Sequence, residues 1–353
     1  MTRPTILPAA SSAVSSSPAP TLAIVIPAVC DTSLLEETLV SVLENRPADC
    51  EIIVPLGCRY DDPWNVSEEV RFVPAPTGSG IVSCTNLGLA ATRAPIVHVL
   101  AAGWRATPGW TDAAVERLAS GDLAAVVPVA VAADDRQRIV SAGIRVTSGG
   151  RRIDIAARKS ELDVTTARPS GPCLEAGFWR TDVLEALGPG FATGCGETHA
   201  DADMAVALAA IGAVVTLEPD ARVVAGPARP RTNAFLEGLR AERVFWRSLA
   251  AGWIVPRFTA HAVEVVRHAA ARAPIGTLPA LSGRLLAAVQ FGSTIQRMRE
   301  LRAVARLGAL QAVEDRDAGA SAGRITVRID GAHGEIARPR GGQEPVAPLK
   351  RSA

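Results

Sequence analysis

The chain has 353 residues, of which 48% are hydrophobic, and a formal net charge of +1. This length is sufficient for one large domain or two. The near-neutral charge gives no overall field that would favour nucleic acid, so we expect no nucleic-acid partner. The six cysteines show neither CxxC nor Cys/His ligand spacing. That pattern favours buried thiols in a reducing compartment and argues against zinc.

The amino-terminal segment and the hydropathy bear on location. Residues 1–20 are rich in Ser, Ala and Pro and lack a continuous apolar stretch, so we predict a disordered leader rather than a secretory signal. No run of about 18 uncharged apolar residues occurs, which predicts no transmembrane helix. We therefore expect a cytoplasmic protein.

Strands and helices alternate through the first hundred residues. Two amphipathic helices are predicted, one over Leu34–Asn45 and one following Gly80. Apolar strands are predicted around them, at Leu22–Pro27, Glu51–Val54, Val70–Val73 and Ile96–Leu100. This order is typical of a doubly wound sheet, in which nucleotide chemistry takes place at the carboxyl edge of the strands.

The rest of the chain divides into three predicted parts. The α/β domain, residues 21–228, continues with a strand, a hairpin, a helix and a last strand, at Leu123–Val131, 136–155, Asp201–Ile211 and Val214–Leu217. A basic helical region, 229–313, is predicted to hold three long helices, Phe235–Ala251, Arg257–Ala271 and Leu281–Gln311. The tail, 314–353, is predicted to be flexible, with a short hairpin signalled by Asp330-Gly331.

Several short motifs follow one another at consistent spacing from Leu22 to Val224. They are Ile26-Pro27 at the end of the first strand, Leu35, Glu37, Thr38, Leu39 and Ser41 in the first helix, Gly80, Cys84, Asn86 and Gly88, the turn Pro108-Gly109-Trp110, and Asp201-Ala202-Asp203-Met204. In this order the sequence resembles the family-2 glycosyltransferases. The resemblance implies an α/β GT-A fold, a doubly wound mixed sheet flanked by helices, with a helical C-terminal extension. It also implies transfer of a sugar from a nucleotide-sugar donor to a glycan or glycoconjugate acceptor, as in polysaccharide biosynthesis.

The positions that carry the family's chemistry are largely replaced. The metal-binding DxD falls on Ala101-Ala102-Gly103, and the aspartate that reads the nucleotide base falls at Leu56. Other family residues fall at Cys30, Ala200, Ala207 and Ala225. Alanine and glycine side chains offer no ligand to a divalent cation, so we expect no metal at this loop.

One candidate catalytic residue remains. Asp201 matches the family's general base, which would take a proton from the acceptor hydroxyl; the alternative role is a helix N-cap. His199 or Glu197 could assist. Candidate donor- or substrate-binding residues, each with an ordinary structural alternative, are Pro27, Asp61 (ribose or base, or a surface turn), Asn86 (substrate, or the local backbone), Arg105 (a cation in place of the metal), Trp110 (stacking, or core packing) and Asp203.

The C-terminal region is strongly basic. Between 229 and 306 there are thirteen arginines and four glutamates, interleaved with Trp246, Trp253, Phe258 and Phe291. This pattern suits basic amphipathic helices on an anionic membrane surface; alternatively, the arginines are solvated and the aromatics pack on the core.

Three functions therefore stay open. The first is a metal-independent transferase that uses Asp201 and an arginine. The second is an inactive relative, a pseudoenzyme, that binds a glycan or a protein partner. The third is a scaffold associated peripherally with the inner face of the membrane.

Overall fold

The computed structural model describes residues 20–29, 31–156, 167–188, 190–229, 232–249, 254–317, 324–329 and 332–337. Ten strands form one mixed sheet, β1 Leu22–Val25, β2 Cys50–Leu56, β3 Val70–Pro74, β4 Ile96–Leu100, β5 Arg105–Ala106, β6 Ala125–Val131, β7 Ile139–Val146, β8 Arg152–Ala156, β9 Ala176–Arg180 and β10 Val215–Val224. Nine described helices accompany it, α1 Thr32–Glu44, α2 Ile81–Ala91, α3 Asp112–Ala119, α4 Thr181–Leu187, α5 Ala200–Ala210, α6 Ala234–Ser248, α7 Ile254–Ala271, α8 Thr277–Val289 and α9 Phe291–Asp317.

The strand order places the functional edge. It reads β3-β2-β1-β4-β9-β6-β10-β5, and the β7–β8 hairpin continues from β6. Strands β3, β2, β1 and β4 are parallel, whereas β9 is antiparallel to both β4 and β6. The carboxyl ends of β1, β2 and β4 therefore meet at one edge, next to the start of β9. This mixed, doubly wound sheet confirms the predicted fold class.

The sheet is covered by helices on both faces, which explains its nearly continuous apolar strands. In β1, Leu22 and Ile24 pack with the apolar side of α1, whereas Ala23 and Val25 pack with α2 and α5. Helix α1 begins after Asp31, whose carboxylate accepts a hydrogen bond from the Ser33 amide at 3.0 Å. The Asp31 cap thus fixes the start of α1, and packing on both faces of the sheet fixes the position of β1.

Three predicted boundaries were wrong. Strand β2 continues through Pro55, whose carbonyl accepts the Ala28 amide at 3.0 Å. Strand β10 continues past Pro219. This proline has no amide N–H to donate to a neighbouring strand, and a register shift between Glu218 and Arg222 accommodates its absence. The last predicted long helix is two helices, α8 and α9, separated at Gln290.

The C-terminal helices pack closely on each other and on the sheet domain. A Cβ at Gly238 of α6 would lie 2.1 Å from the Ala280 carbonyl, and one at Gly283 of α8 would lie 2.0 Å from the Phe235 carbonyl. Gly150, in the turn of the β7–β8 hairpin, has φ +75°, and a Cβ there would lie 2.0 Å from the Ala241 carbonyl. Glycines thus allow the backbones of these elements to touch.

Some sequence predictions concern the thiols and the tail. Cys50, Cys84, Cys173 and Cys195 are buried and outside any disulfide, as predicted. Cys58 is outside any disulfide but only half-buried, and Cys30 lies outside the described residues. In the tail, Arg324–Ile329 and Ala332–Ala337 pair antiparallel, and the Asp330-Gly331 turn lies outside the described residues. None of the described helices combines the length and apolar composition needed to cross a bilayer.

Candidate functional site

The loop that follows β4 is closed by its own chain. The Ala101 amide donates to the Glu175 carbonyl at 2.8 Å, and the Gly103 amide donates to the Leu34 carbonyl at 3.0 Å. Gly103 has φ +91°, and a Cβ there would lie 2.8 Å from Cδ of Pro227. This loop offers neither carboxylates nor free amides, so its residues do not fit a divalent cation.

The ends of β1 and β2 are closed in the same way. The Gly57 amide donates to the Ala28 carbonyl at 2.8 Å, and the Gly78 amide donates to the Gly57 carbonyl at 3.1 Å. A Cβ on Gly57 would lie 2.8 Å from the Ser79 carbonyl and 3.1 Å from Sγ of Cys84. We call residues 56–58 and 101–103 together the apolar half of the edge.

A buried ion cluster lies beside the apolar half. Arg152 of β8 places Nε 3.0 and 2.9 Å from Oδ1 and Oδ2 of Asp201, at the start of α5. Arg229, after β10, donates to Asp201 at 2.8 Å and forms a two-pronged ion pair with Glu175. We call Arg152, Glu175, Asp201 and Arg229 the charged half of the edge. Because the Glu175 carbonyl binds the Ala101 amide, the two halves are in direct contact.

The Asp201 carboxylate is fully engaged. Its oxygens accept hydrogen bonds from four donors, which are Arg152, Arg229 and the amides of Leu174 and Ala202, and its side chain has no exposed surface. Burial by itself raises the pKa of Asp201, but the charges of Arg229 and Arg152 outweigh it and hold the pKa at about 2. His199, not Asp201, precedes the first residue of α5, so the alternative role of N-cap is not what the carboxylate does.

A pocket of about 330 Å³ opens on the charged half. The groups that line it are charged or hydrogen-bonding, namely Arg152, Asp154, Thr198, His199, Arg229, Thr232, Glu237 and Arg272. Burial lowers the pKa of His199 to about 4, so this imidazole is neutral at pH 7. Burial raises the pKa of Glu237, but the hydrogen bonds from His268 and Arg272 prevail and bring it to about 2. The pocket thus holds the ionised carboxylate of Glu237 and three guanidiniums beside the neutral imidazole of His199 and two threonine hydroxyls.

Asp203 points to a different place from Asp201. Its carboxylate is buried and accepts a hydrogen bond from Arg247 of α6 at 2.7 Å, while Sγ of Cys195 lies 3.9 Å away. It does not line the pocket. Asp203 therefore joins the α/β domain to the C-terminal helices.

Asn86 and Trp110 are also engaged within the fold. The Asn86 amide group both donates to the Phe191 carbonyl, at 2.8 Å, and accepts from the Phe191 amide, at 2.7 Å. Trp110 is fully buried, packs edge-on against His98 and leaves no ring face for a ligand. Both side chains serve the framework of the edge.

The other candidates lie apart from the pocket. Pro27 is buried at the end of β1. Asp61 is exposed and pairs with Arg59 at 3.0 Å. Arg105 is half-buried in β5, and its guanidinium makes no hydrogen bond or ion pair with a described residue. Glu197 accepts the Val82 amide at 2.8 Å, at the start of α2, so it does not stand in for the carboxylate missing at Ala200.

Sequence reasoning missed Arg152, Glu175 and Arg229. A signal was available, since two aspartates in a largely apolar helix, α5, require nearby cations if they are buried. Arg152 lies in the predicted hairpin, and Arg229 is the first residue of the predicted basic helical region. Neither location could be paired with Asp201 without knowing how the hairpin folds over the edge.

No protein-family profile and no curated protein sequence matches this chain. Among solved structures, residues 1–349 of TarS from S. aureus match 92% of this chain and 98% of theirs, with 13% identity and a TM-score of 0.53. The mannosyltransferase PcManGT from Pyrobaculum calidifontis, in complex with GDP-Man and Mn²⁺, matches 83% of this chain and 88% of its own, with 19% identity and a TM-score of 0.48. GalNAc-T7 with UDP, GalNAc and Mn²⁺ matches 69% of this chain and 54% of its own, with 12% identity and a TM-score of 0.47.

These likenesses concern the fold. The TarS match and the strand order together show the fold of GT-A-type glycosyltransferases. The fold that the motif resemblance implied is thereby confirmed, whereas the chemistry depends on the residues of the edge.

Proposed function

We propose that this chain is a family-2 glycosyltransferase relative that binds a carbohydrate at the pocket beside Asp201 and does not carry out metal-dependent transfer. The observation that carries this proposal is the state of the Asp201 carboxylate. A general base needs an accessible lone pair and a pKa near the working pH. Asp201 has no exposed surface, four donors and a pKa of about 2.

The donor side supports the same proposal. Transfer from a nucleotide-sugar develops negative charge on the leaving diphosphate, and a bound cation usually contributes several kcal/mol to its stabilisation. Here residues 101–103 supply no ligand, and Pro227 and Leu34 pack against Gly103. The charged half contains as many carboxylates as arginines, so it has no surplus positive charge with which to replace a metal.

The pocket itself suits sugar hydroxyls. Thr198, Asp154 and Arg272 present a hydroxyl, a carboxylate and a guanidinium to one cavity. Sugars offer adjacent hydroxyls that both donate and accept, and carboxylates and guanidiniums bind such pairs with charge-assisted hydrogen bonds. A volume of about 330 Å³ is at the lower end of small-molecule sites, which fits one or two sugar residues.

Titration with a panel of mono- and disaccharides, followed by calorimetry, tests this function. We expect at least one sugar to bind, and Asp154→Ala to weaken it about tenfold through the loss of a charge-assisted hydrogen bond. Asp61→Ala, at an exposed acid that does not line the pocket, is the matched control. Detection of metal-dependent sugar transfer from a nucleotide-sugar donor, or the absence of binding by every sugar, would overturn the proposal.

A metal-independent transferase is the second candidate, and the position of Arg229 favours it. This side chain is 22% exposed and lines the pocket, so a donor phosphate could take its guanidinium from Asp201. Asp201 would then lose one of the two cations that lower its pKa and become a better base.

The two candidates differ in their response to donors. Thermal shifts with GDP-mannose and UDP-sugars, measured in EDTA and in Mn²⁺, should show metal-independent stabilisation if the chain is a transferase. In that case Asp201→Asn should abolish turnover and leave the shift unchanged. The absence of any donor-induced shift under both conditions would rule out this second candidate.

A further inference from the structure

The two helices α7 and α8 and the turn between them expose an unusually apolar surface. Seven large side chains there are each at least 68% exposed, Val255, Val263, Val266, Ile275, Leu278, Leu285 and Val289. We call these seven residues the apolar face. Soluble proteins rarely leave so many neighbouring aliphatic side chains in water, so such a surface indicates an interaction site.

Few arginines of this region are exposed, so its surface is less basic than the predicted amphipathic pattern. Arg284 of α8 is buried and pairs with Glu242 at 2.7 Å, and Arg247 pairs with Asp203. Among exposed residues from 255 to 289, Arg267 alone carries a charge. Glu264, which could have offered an exposed acid, is buried and lies 3.5 Å from Arg151.

A groove lies within this surface. It has a volume of about 570 Å³ and is lined by Phe235, Leu278, Leu281 and Leu285, together with Pro279 and Ser282. Its walls contain no ionisable group. A long hydrocarbon segment would fit these walls, since no polar partner is needed along them.

The charged residues beside the apolar face, Arg267 and Arg272, indicate which kind of partner would cover it. Arg267 pairs with Glu264 at 3.2 Å, and Arg272 pairs with Glu237, but both carboxylates lie deeper than the arginines that they bind. The side chains of Arg267 and Arg272 are 72% and 39% exposed, those of Glu264 and Glu237 only 7% and 17%, and no exposed residue from 255 to 289 is acidic. A second copy that docked through the same face would offer these arginines no exposed acid from residues 255 to 289. A bilayer with anionic headgroups supplies both the apolar interior and the complementary charge.

We propose that the apolar face of α7 and α8 inserts into the boundary between headgroups and acyl chains of a membrane that contains anionic lipid. The two helices lie in the plane of the interface, with the apolar face turned towards the acyl chains. Hydrophobic insertion supplies most of the binding, and the arginines at the border supply the preference for anionic lipid. This inference does not depend on the carbohydrate site.

Flotation of the full chain with vesicles of phosphatidylcholine, pure or with about 30% phosphatidylglycerol, tests the proposal. We expect binding to the mixed vesicles and weaker binding to the pure ones. Leu278→Gln with Leu285→Gln should weaken binding about tenfold for each leucine removed. Val40→Gln with Val214→Gln is the matched control, because Val40 and Val214 are 54% and 53% exposed elsewhere on the surface.

Charge is tested separately. Arg267→Gln should reduce binding to the mixed vesicles about fivefold and leave binding to pure phosphatidylcholine unchanged. Circular dichroism establishes that each variant remains folded, and the wild-type result does not depend on any variant. Failure of the wild type to float at low salt, or equal flotation by the leucine variant, would overturn the proposal. A dimer without vesicles that the leucine changes dissociate would assign the face to a second copy instead.

Discussion

The two halves of the carboxyl edge provide partners for their buried polar groups in opposite ways. In the apolar half, residues 56–58 and 101–103, backbone amides are satisfied by neighbouring carbonyls, and Pro227 fills the remaining space. In the charged half, Asp201 and Glu175 are satisfied by Arg152 and Arg229. In both halves, the hydrogen-bonding groups named here bind other groups of the same chain. One backbone frame can therefore hold very different side-chain chemistry, and the frame alone does not indicate a reaction.

The largest effect is expected from breaking the charged half. Arg229→Met leaves Glu175 without its two-pronged partner and Asp201 with one arginine, so we expect the free energy of unfolding to fall by about 4 kcal/mol. Urea unfolding measures this change. Arg59→Met, which breaks the exposed pair with Asp61, should change it by less than about 0.5 kcal/mol. Equal losses at the two sites would refute the buried cluster.

The two sides of the edge should also differ in their response to pH, because His98 is buried in β4, which leads into residues 101–103, and His199 is buried just before α5. His98 of β4 titrates near 6.5 when unfolded, and burial lowers its folded pKa to about 3. Protonation favours the unfolded chain, so stability present above pH 6.5 is lost as the pH falls towards 3. At about 1.4 kcal/mol per pKa unit, the loss by about pH 4 is about 3 kcal/mol.

Two variants assign this pH dependence. His98→Leu should flatten the fall of the free energy of unfolding between about pH 6.5 and 4, and His199→Gln should flatten it less, because the pKa of His199 is lowered only to about 4. The contribution of Asp201 should appear only below pH 3.8, where its carboxylate becomes protonated in the unfolded chain. An unchanged pH profile in His98→Leu would contradict this assignment.

Packing in the apolar half gives the next effect. Gly103→Ala should cost about 2 to 3 kcal/mol, because a positive φ is combined with contact to Pro227. Gly212, with φ +71° and open space within 4 Å of the point where a Cβ would lie, is the matched control. Gly212→Ala should cost only about 1 kcal/mol. Thermal unfolding of both variants measures the difference, and equal costs would argue against the Pro227 contact.

The smallest effect concerns the framework shared by both halves. Asn86→Ala removes two hydrogen bonds to the backbone of Phe191 and should cost about 1 to 2 kcal/mol. Sugar binding, measured by calorimetry, should stay within about twofold of the wild type, since Asn86 does not line the pocket. A large loss of affinity without loss of stability would instead place Asn86 in contact with the ligand.

Much of the fold followed from local sequence patterns. Apolar runs bounded by turn residues located β1, β3 and β4, and Asp31 marked the start of α1. The predicted strand ends were wrong where pairing with a distant strand outweighs a local proline. Pro55 and Pro219 suggested strand ends, yet neighbouring strands supply partners beyond each proline.

The site was less predictable for a physical reason. The sequence identified Asp201 as exceptional but not its environment, because Arg152 and Arg229 lie 49 and 28 residues away along the chain. A role in proton transfer or in a buried ion cluster depends on those distant side chains. Likewise, the arginine count in 229–306 could not distinguish an outward basic face from arginines such as Arg247 and Arg284 that turn inward.

The link between Asp203 and Arg247 has a consequence for biosynthesis. A nascent chain that has emerged only as far as residue 228 contains every strand of the main sheet but lacks Arg229 and Arg247. Asp203 would then have no arginine partner and Asp201 would keep only Arg152, so burial of the α5 carboxylates would be incompletely compensated. We therefore expect α5 to close fully onto the sheet only after α6 has left the ribosome, which would make docking of the C-terminal helices a late step of folding.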